Sequence, residues 1–179
     1  MKMDVVIDQP VIEAERFVLR PLRTSDAGLI GLYAGDERVA RMTSSIPHPL
    51  PPGTVEAFIA RVHAADRTED VWAMDATGAG GPELMGVITL RRLGRSQGEV
   101  SFWVAPAFWN GQIATAAVAA LVEANPRDRS AHFATVLQDN AASARVLTKC
   151  GFRYLGDAEV YCVARGATVP TWTYSRTRD

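Results

Sequence analysis

A predicted helix at residues 112–124 constrains the fold more than any other segment of this sequence. It carries two neighbouring apolar rows on one face, spaced four residues apart: Ile113, Ala117 and Leu121, and beside them Ala114, Val118 and Val122. The many alanines allow the helix axis to lie close to whatever it covers. A short alternating segment at residues 99–104 precedes it. The pair predicts a strand followed by a helix that packs on the sheet containing that strand.

The rest of the chain alternates between segments with the two-residue period of a strand and segments with the period of a helix. Apolar alternation predicts strands at residues 16–20, 71–74, 84–93, 99–104, 131–137, 154–165 and 171–176. Capping residues predict helices that begin at Thr24–Asp26, at Asp36, at Thr54, at Gln112 and at Asp139 or Asn140, the last ending before Gly151. Four prolines between Ile46 and Gly53 predict a loop there. This order indicates an α/β or α+β fold with a mixed sheet.

Length and composition favour one ordinary globular domain. The chain has 179 residues, of which 47% are hydrophobic and 22% charged, and a net charge of −1. We expect neither a nucleic-acid partner nor a membrane, because there is no net basic charge and no apolar run of the roughly 18–20 residues that a spanning helix needs. The first ten residues do not resemble a secretory signal. Cys150 and Cys162 are too few for a disulfide framework or a zinc site, so a cytoplasmic protein without a metal is expected.

Two segments carry residues suited to chemistry. Residues 108–115 place small residues at the start of the helix, where unpaired backbone N–H groups and the helix dipole favour an anion such as a pyrophosphate. The simpler interpretation is that Gly111 only permits the turn. The second segment begins at Asn140, which is either a helix N-cap or a ligand-binding side chain. Ser143 follows one turn later on about the same face.

Together the two segments resemble the GNAT acetyltransferases, and within them the RimJ/RimL-like branch. The first signature of that family, W-G-x-G-x-A-T-E-A, is matched in part by residues 109–117. The second, N-x-x-S-x-x-x-x-x-K-x-G-F, is matched by Asn140, Ser143, Lys149, Gly151 and Phe152. Residues 15–22 are also similar to the start of this branch. The resemblance implies the GNAT fold over residues 13–179, as a single domain. It implies a mixed, mostly antiparallel sheet of about seven strands, splayed between the fourth and fifth strands and flanked by about four helices.

The resemblance also implies an activity and a site. Members transfer acetyl from acetyl-CoA, as co-substrate, to a primary amine by direct attack on the thioester. The implied cofactor-binding residues lie in three groups: Phe102, Trp103 and Val104 on the strand, with the Val104 N–H as oxyanion donor; Asn110, Gly111, Gln112, Ile113, Ala114 and Thr115 at the pyrophosphate; and Asn140, Ser143, Arg145 and Lys149 on the second helix. Ser143 is also the candidate acid, and Glu99 the candidate base, although a charged residue at a strand end is an equal interpretation.

Three positions depart from the family pattern. Gln112 replaces the second glycine of the loop, Ala116 replaces a glutamate, and Leu147 occupies the place of a frequent tyrosine. We expect Gly111 to adopt the unusual backbone conformation in a shifted turn, since glycine tolerates it. Further candidates are His48 for the amine pocket and three arginines for the CoA phosphates, Arg91, Arg92 and Arg95.

Alternatives therefore stay open. The first is an active N-acetyltransferase for a protein N-terminus or a small amine. The second is a non-catalytic acyl-CoA-binding sensor or scaffold, which the changes at Gln112 and Ala116 motivate. The third is an unrelated α/β protein with two chance motifs. The amine acceptor is not readable from the sequence, and a homodimer is possible.

Overall fold

The computed structural model describes residues 8–178, which form eight strands and five α-helices. The strands are β1 (Ile12–Ala14), β2 (Phe17–Pro21), β3 (Glu69–Asp75), β4 (Gly86–Leu93), β5 (Gln97–Val104), β6 (Ala131–Leu137), β7 (Arg153–Cys162) and β8 (Ala167–Thr177). The helices are α1 (Ala27–Ala34), α2 (Glu37–Ala40), α3 (Thr54–His63), α4 (Ile113–Ala124) and α5 (Ala141–Lys149). The expected order of elements is confirmed. The strand count differs from the expected seven because three residues of β1 pair with β2.

The strands form one mixed sheet in the order β1-β2-β3-β4-β5-β6-β8-β7. Every neighbouring pair is antiparallel except β5 and β6, which are parallel. This parallel pairing covers three residue pairs, from Gln97 with Ala131 to Glu99 with Phe133. Beyond Glu99 the two strands separate, so the β6-facing edge of Phe102–Val104 carries no strand pairing. The predicted splay between these strands is therefore confirmed.

Helices cover both faces of the sheet. On one face, α4 and α5 enclose a core that includes Trp72, Ile88 and Leu121, none of which is exposed. On the other face, α1 and α3 enclose a second core around Val71 and Leu84. The predicted apolar face of α4 is confirmed where it crosses the sheet. Its first turn is half-buried, because there it borders an open cavity.

Asp26, one of the three expected caps, precedes α1 as its N-cap, whereas the cap of α3 is not the expected Thr54. A 3₁₀ turn at Thr24–Asp26 precedes α1, because the Asp26 carboxylate is buried and accepts hydrogen bonds from the Arg23 N–H and from the Arg20 side chain. Thr54 is the first residue of α3 rather than its cap. Gly53 precedes it with φ of 82°, and the Thr54 hydroxyl donates to the Pro51 carbonyl at 2.7 Å. Within the described residues, no helix is long and apolar enough to span a membrane.

Candidate functional site

A cavity of about 490 Å³ opens where β5 and β6 separate. Its walls come from the end of β5 with the loop to α4, from the first turns of α5, and from the segment around α2. Twelve of the thirteen residues expected to bind the cofactor line it: Phe102, Trp103, Val104, Asn110, Gln112, Ile113, Ala114, Thr115, Asn140, Ser143, Arg145 and Lys149. The fold thus brings both signature segments to one cavity.

The loop between β5 and α4 forms a cradle of backbone amides. Trp109 fixes its start, because the indole N–H donates to the Val104 carbonyl at 2.7 Å. Asn110 and Gln112 both adopt left-handed conformations, with φ of 64° and 61°. The expectation that Gly111 takes this conformation is wrong: its φ is not positive, and Gln112, the residue before α4, takes it instead. Within residues 8–178, no N–H of residues 110–115 donates to a backbone carbonyl, and the first helical bond is Ala116 N–H to Gln112 C=O at 3.0 Å.

This cradle has the features of a phosphate site. Free N–H groups at the start of a twelve-residue helix attract an anion through hydrogen bonds and the helix dipole. Two cationic side chains on α5, Arg145 and Lys149, line the same cavity. The Lys149 ammonium lies 3.4 Å from Gln112 Oε1, so the side chain of Gln112 contacts a cation. The positive charge of Lys149 therefore lies beside the free donors at the start of α4.

Asn140 caps α5 and also lines the cavity. Its Oδ1 accepts from the Ser143 N–H at 3.3 Å, which is the geometry of an N-cap. Within the described chain, its Nδ2 donates to no protein acceptor, and it remains available to a ligand. The two interpretations of Asn140 are therefore compatible, because its oxygen caps the helix while its nitrogen is left for a ligand.

Glu99 does not lie in the cavity. Its Oε1 accepts two hydrogen bonds from Arg91, at 2.8 and 3.1 Å, across β4 and β5. It sits where β5 still pairs with β6, five residues before Val104, and at about 3.3 Å per strand residue this is about 16 Å away. Glu99 as the general base therefore stays a prediction, and the lining of the cavity does not include it. Four basic candidates also lie outside the cavity lining: His48, Arg91, Arg92 and Arg95.

The α2 wall was not foreseen from the sequence. Arg38, Val39, Met42 and Thr43 form a further wall of the cavity. The Arg38 guanidinium is held by Asp36 at 2.8 Å and lies 5.9 Å from the centre of the Trp109 ring. The sequence predicted a short helix from Asp36 but held no signal for the face that it presents to the cavity.

Asp139 also lines the cavity, and the sequence analysis considered it only as a possible cap. Arg165 donates hydrogen bonds to both of its carboxylate oxygens, at 2.7 and 3.2 Å. These bonds lower the pKa of the Asp139 carboxyl, although its partial burial opposes the shift. Among the described lining residues Asp139 is the one carboxylate, and it is a weak base because its ionised form is stabilised. No three potential metal ligands cluster within residues 8–178.

Comparison with known proteins agrees with the geometry. The profile of the family described as acetyltransferase (GNAT) domain matches residues 16–153. No curated protein matches the sequence at a significant level.

Three solved structures illustrate the similarity of fold. The ribosomal-protein-S5-alanine acetyltransferase from Vibrio fischeri is 19% identical over 96% of this chain and 98% of its own, with a TM-score of 0.77. RimJ from Mycobacterium smegmatis, in complex with CoA-disulfide, is 21% identical over 94% and 86%, with a TM-score of 0.78. Spermidine N-acetyltransferase from Vibrio cholerae, in complex with CoA and spermine, is 14% identical over 90% and 95%, with a TM-score of 0.75. At these identities the similarity shows the fold alone.

Proposed function

Because the chain belongs to the GNAT acetyltransferase family, we propose that it transfers acetyl from acetyl-CoA to a primary amine. The observation that carries the proposal is the cavity at the splay of β5 and β6, which is lined both by the anion-binding cradle and by the wall beside α2. A single cavity with two kinds of wall suits a reaction between two substrates that bind side by side.

The residues of the cradle fit acetyl-CoA. The free N–H groups of residues 110–115 would bind the pyrophosphate, with Lys149 and Arg145 supplying positive charge. The Nδ2 of Asn140 would donate to the pantetheine arm lying in the gap beside β5. When bound, acetyl-CoA supplies a thioester that an amine attacks directly. Phe102 would form part of the wall along the arm.

The reacting groups would lie next to the end of β5. We expect the Val104 N–H to donate to the carbonyl oxygen as negative charge develops on it, and one such donor is typically worth about 3 kcal/mol. Ser143 would donate to the departing sulfur, which needs little help because a thiolate is stable near neutral pH. Leu147 is fully buried, so this position of α5 faces the core rather than the cavity. With Asp139 a weak base, the amine proton would leave through water.

The acceptor is the open part of the proposal. Among the structural neighbours, one is named for the alanine of a ribosomal protein and another for spermidine. We propose a protein N-terminus or a small amine for this chain, in line with the RimJ/RimL-like branch that its signatures resemble. A cytoplasmic location and a homodimer stay predictions.

The proposal is tested by titration calorimetry with CoA and acetyl-CoA, followed by a thiol-release assay. The assay panel holds peptides that begin with alanine or serine, spermidine and spermine. We expect binding, release of thiol with at least one amine, and weaker CoA binding in Lys149→Met. The control is Arg92→Met, which removes an exposed arginine outside the cavity and should bind CoA as the wild type does.

Other outcomes have defined meanings. Binding without turnover on any amine would contradict the transferase and favour an acyl-CoA sensor, which the non-glycine cradle at Gln112 motivates. If neither CoA nor acetyl-CoA binds at millimolar concentration, both the transferase and the acyl-CoA sensor are contradicted.

A further inference from the structure

The α2 wall of the cavity is hydrogen-bonded to the turn between β7 and β8. This turn spans Val163–Gly166 and is short and well bonded. The Gly166 N–H donates to the Cys162 carbonyl at 2.9 Å, and Gly166 has φ of 62°, which glycine adopts without strain. Arg165 therefore projects from a fixed backbone.

The Arg165 guanidinium joins two walls of the cavity. On one side it bonds both oxygens of Asp139, at the junction of β6 and α5, at 2.7 and 3.2 Å. On the other side its Nε and Nη2 donate to the carbonyl of Arg41, just after α2, at 3.0 and 2.7 Å. The side chain of Arg165 is 15% exposed, whereas that of Asp139 is 56% exposed. The arginine is thus covered by its partners, and the carboxylate still faces the solvent-filled cavity.

The residues next to Arg165 in the sequence also bind the segment after α2, residues 41–44. The Cys162 thiol donates to the Thr43 carbonyl at 3.2 Å, and the Val163 N–H donates to the Ser44 carbonyl at 3.0 Å. Together with the bonds from Arg165, three carbonyls within residues 41–44 are bound by residues 162–165. Thr43 lines the cavity, as does Met42, whose sulfur lies 3.9 Å from Arg165 Nη2.

We propose that Arg165 is a positioning residue that fixes the α2 wall against the start of α5 and thereby shapes the acceptor pocket. The proposal rests on the proposed function, since it assigns the α2 wall of the cavity to the amine. Arg165 does not line the cavity and acts through Asp139 and the backbone of residues 41–44. The ion pair raises the pKa of Arg165 and lowers that of Asp139, so both partners keep their charges.

Arg165 makes no hydrogen bond to the cradle. Among the described residues, the hydrogen bonds of its guanidinium all go to Asp139, Arg41 and Met42. Loss of the guanidinium should therefore weaken acceptor binding and leave acetyl-CoA binding intact. A residue needed only for folding would affect both substrates alike.

The test compares Arg165→Met, which keeps the aliphatic stem, with Arg165→Lys, which keeps the charge. The acceptor is an alanine-first peptide, or spermidine if the wild type turns it over faster. We expect Arg165→Met to raise the acceptor KM about tenfold or more, as displacement of a pocket wall does. The acetyl-CoA KM should stay within about twofold. Arg165→Lys should have an acceptor KM between those of the wild type and Arg165→Met. If Arg165→Met does not fold, the acceptor KM and the acetyl-CoA KM are compared in Arg165→Lys instead.

The matched control is Arg61→Met, which removes an exposed arginine that pairs with Glu69 outside the cavity lining and should alter neither KM. An unchanged acceptor KM in Arg165→Met, or equal changes for both substrates, would overturn the proposal.

A wild type that acetylates no amine would refute the proposed function without deciding the role of Arg165. Hydrogen exchange then decides it: Arg165→Met should speed exchange of the Met42, Thr43 and Val163 amides and leave α4 protected. Unchanged exchange at those three amides would overturn the positioning role.

Discussion

Gln112 adopts a conformation that suits glycine, in the place where the family signature has glycine. Its φ of 61° precedes the first residue of α4, and Asn110 two positions earlier has φ of 64°. For a residue with a Cβ this region costs roughly 1–2 kcal/mol, and asparagine tolerates it better than glutamine. The prediction for Gly111 failed because it followed residue type, whereas the geometry of the turn assigns the left-handed conformation to the two flanking positions.

Glycine at position 112 should therefore give a more stable protein than alanine at the same position. We expect Gln112→Gly to be more stable than Gln112→Ala by about 1 kcal/mol, because alanine keeps the left-handed strain while glycine removes it. The free energy of unfolding in urea measures the difference. The control is Ala120→Gly inside α4, where glycine should cost about 1 kcal/mol. Equal stability of the two Gln112 variants would refute the strain.

At the scale of elements, the sequence predicted those whose contacts are local. The rows on α4 identified its buried face, since Ala117, Val118 and Leu121 are fully buried. The two signature segments identified the cradle and the start of α5. The α2 wall was not predictable, because the turn between β7 and β8, more than 115 residues later in the chain, holds it in place. The strand pattern also did not show that β5 and β6 separate just after Glu99, because alternation along one strand carries no information about where its neighbour leaves it.

The start of α5 offers a way to separate two roles of one side chain. We expect Asn140→Ala to lose about 1 kcal/mol of stability with its cap and to bind CoA more weakly. Asn140→Asp should keep the stability, since a carboxylate oxygen also caps, but should bind CoA weakly because it lacks the amide donor. Urea unfolding and calorimetry with CoA measure the two effects. Tight CoA binding by Asn140→Asp would show that the nitrogen holds no ligand.

At the scale of the whole molecule, two parts of the sheet must hold their shape while the gap between them stays open. β5 and β6 share three residue pairs. The half from β1 to β5 is stiffened by a buried network in which Arg20 on β2 bonds Asp75 on β3 at 2.6 Å and Asp26 before α1 at 2.8 and 2.9 Å. All three side chains are nearly inaccessible to solvent. One guanidinium therefore joins two strands and the turn that leads into the first helix.

Arg20→Met should be the most damaging single change considered. It leaves two buried carboxylates without their cation, and breaking a buried pair in this way typically costs about 3–5 kcal/mol. Arg91→Met, which breaks a partly exposed pair, should cost less than about 1 kcal/mol. The free energy of unfolding at neutral pH measures both. If Arg20→Met loses less unfolding free energy than Arg91→Met does, the buried network contributes little to stability.

The same network predicts how the stability difference between the wild type and Arg20→Met depends on pH. Burial alone would raise the pKa of the Asp75 carboxyl, but hydrogen bonds from Thr77 and Arg20 outweigh burial and lower it below its ordinary value of 3.8. The folded pKa is thus below the unfolded one, so this stabilisation is present above pH 3.8 and is lost as the pH falls through the folded value. Protonation also removes the buried negative charge that destabilises Arg20→Met. The stability gap between wild type and variant should therefore narrow as the pH is lowered from neutral to below 3.8. A gap that stays constant over that range would place the cost of the substitution in lost packing rather than in charge.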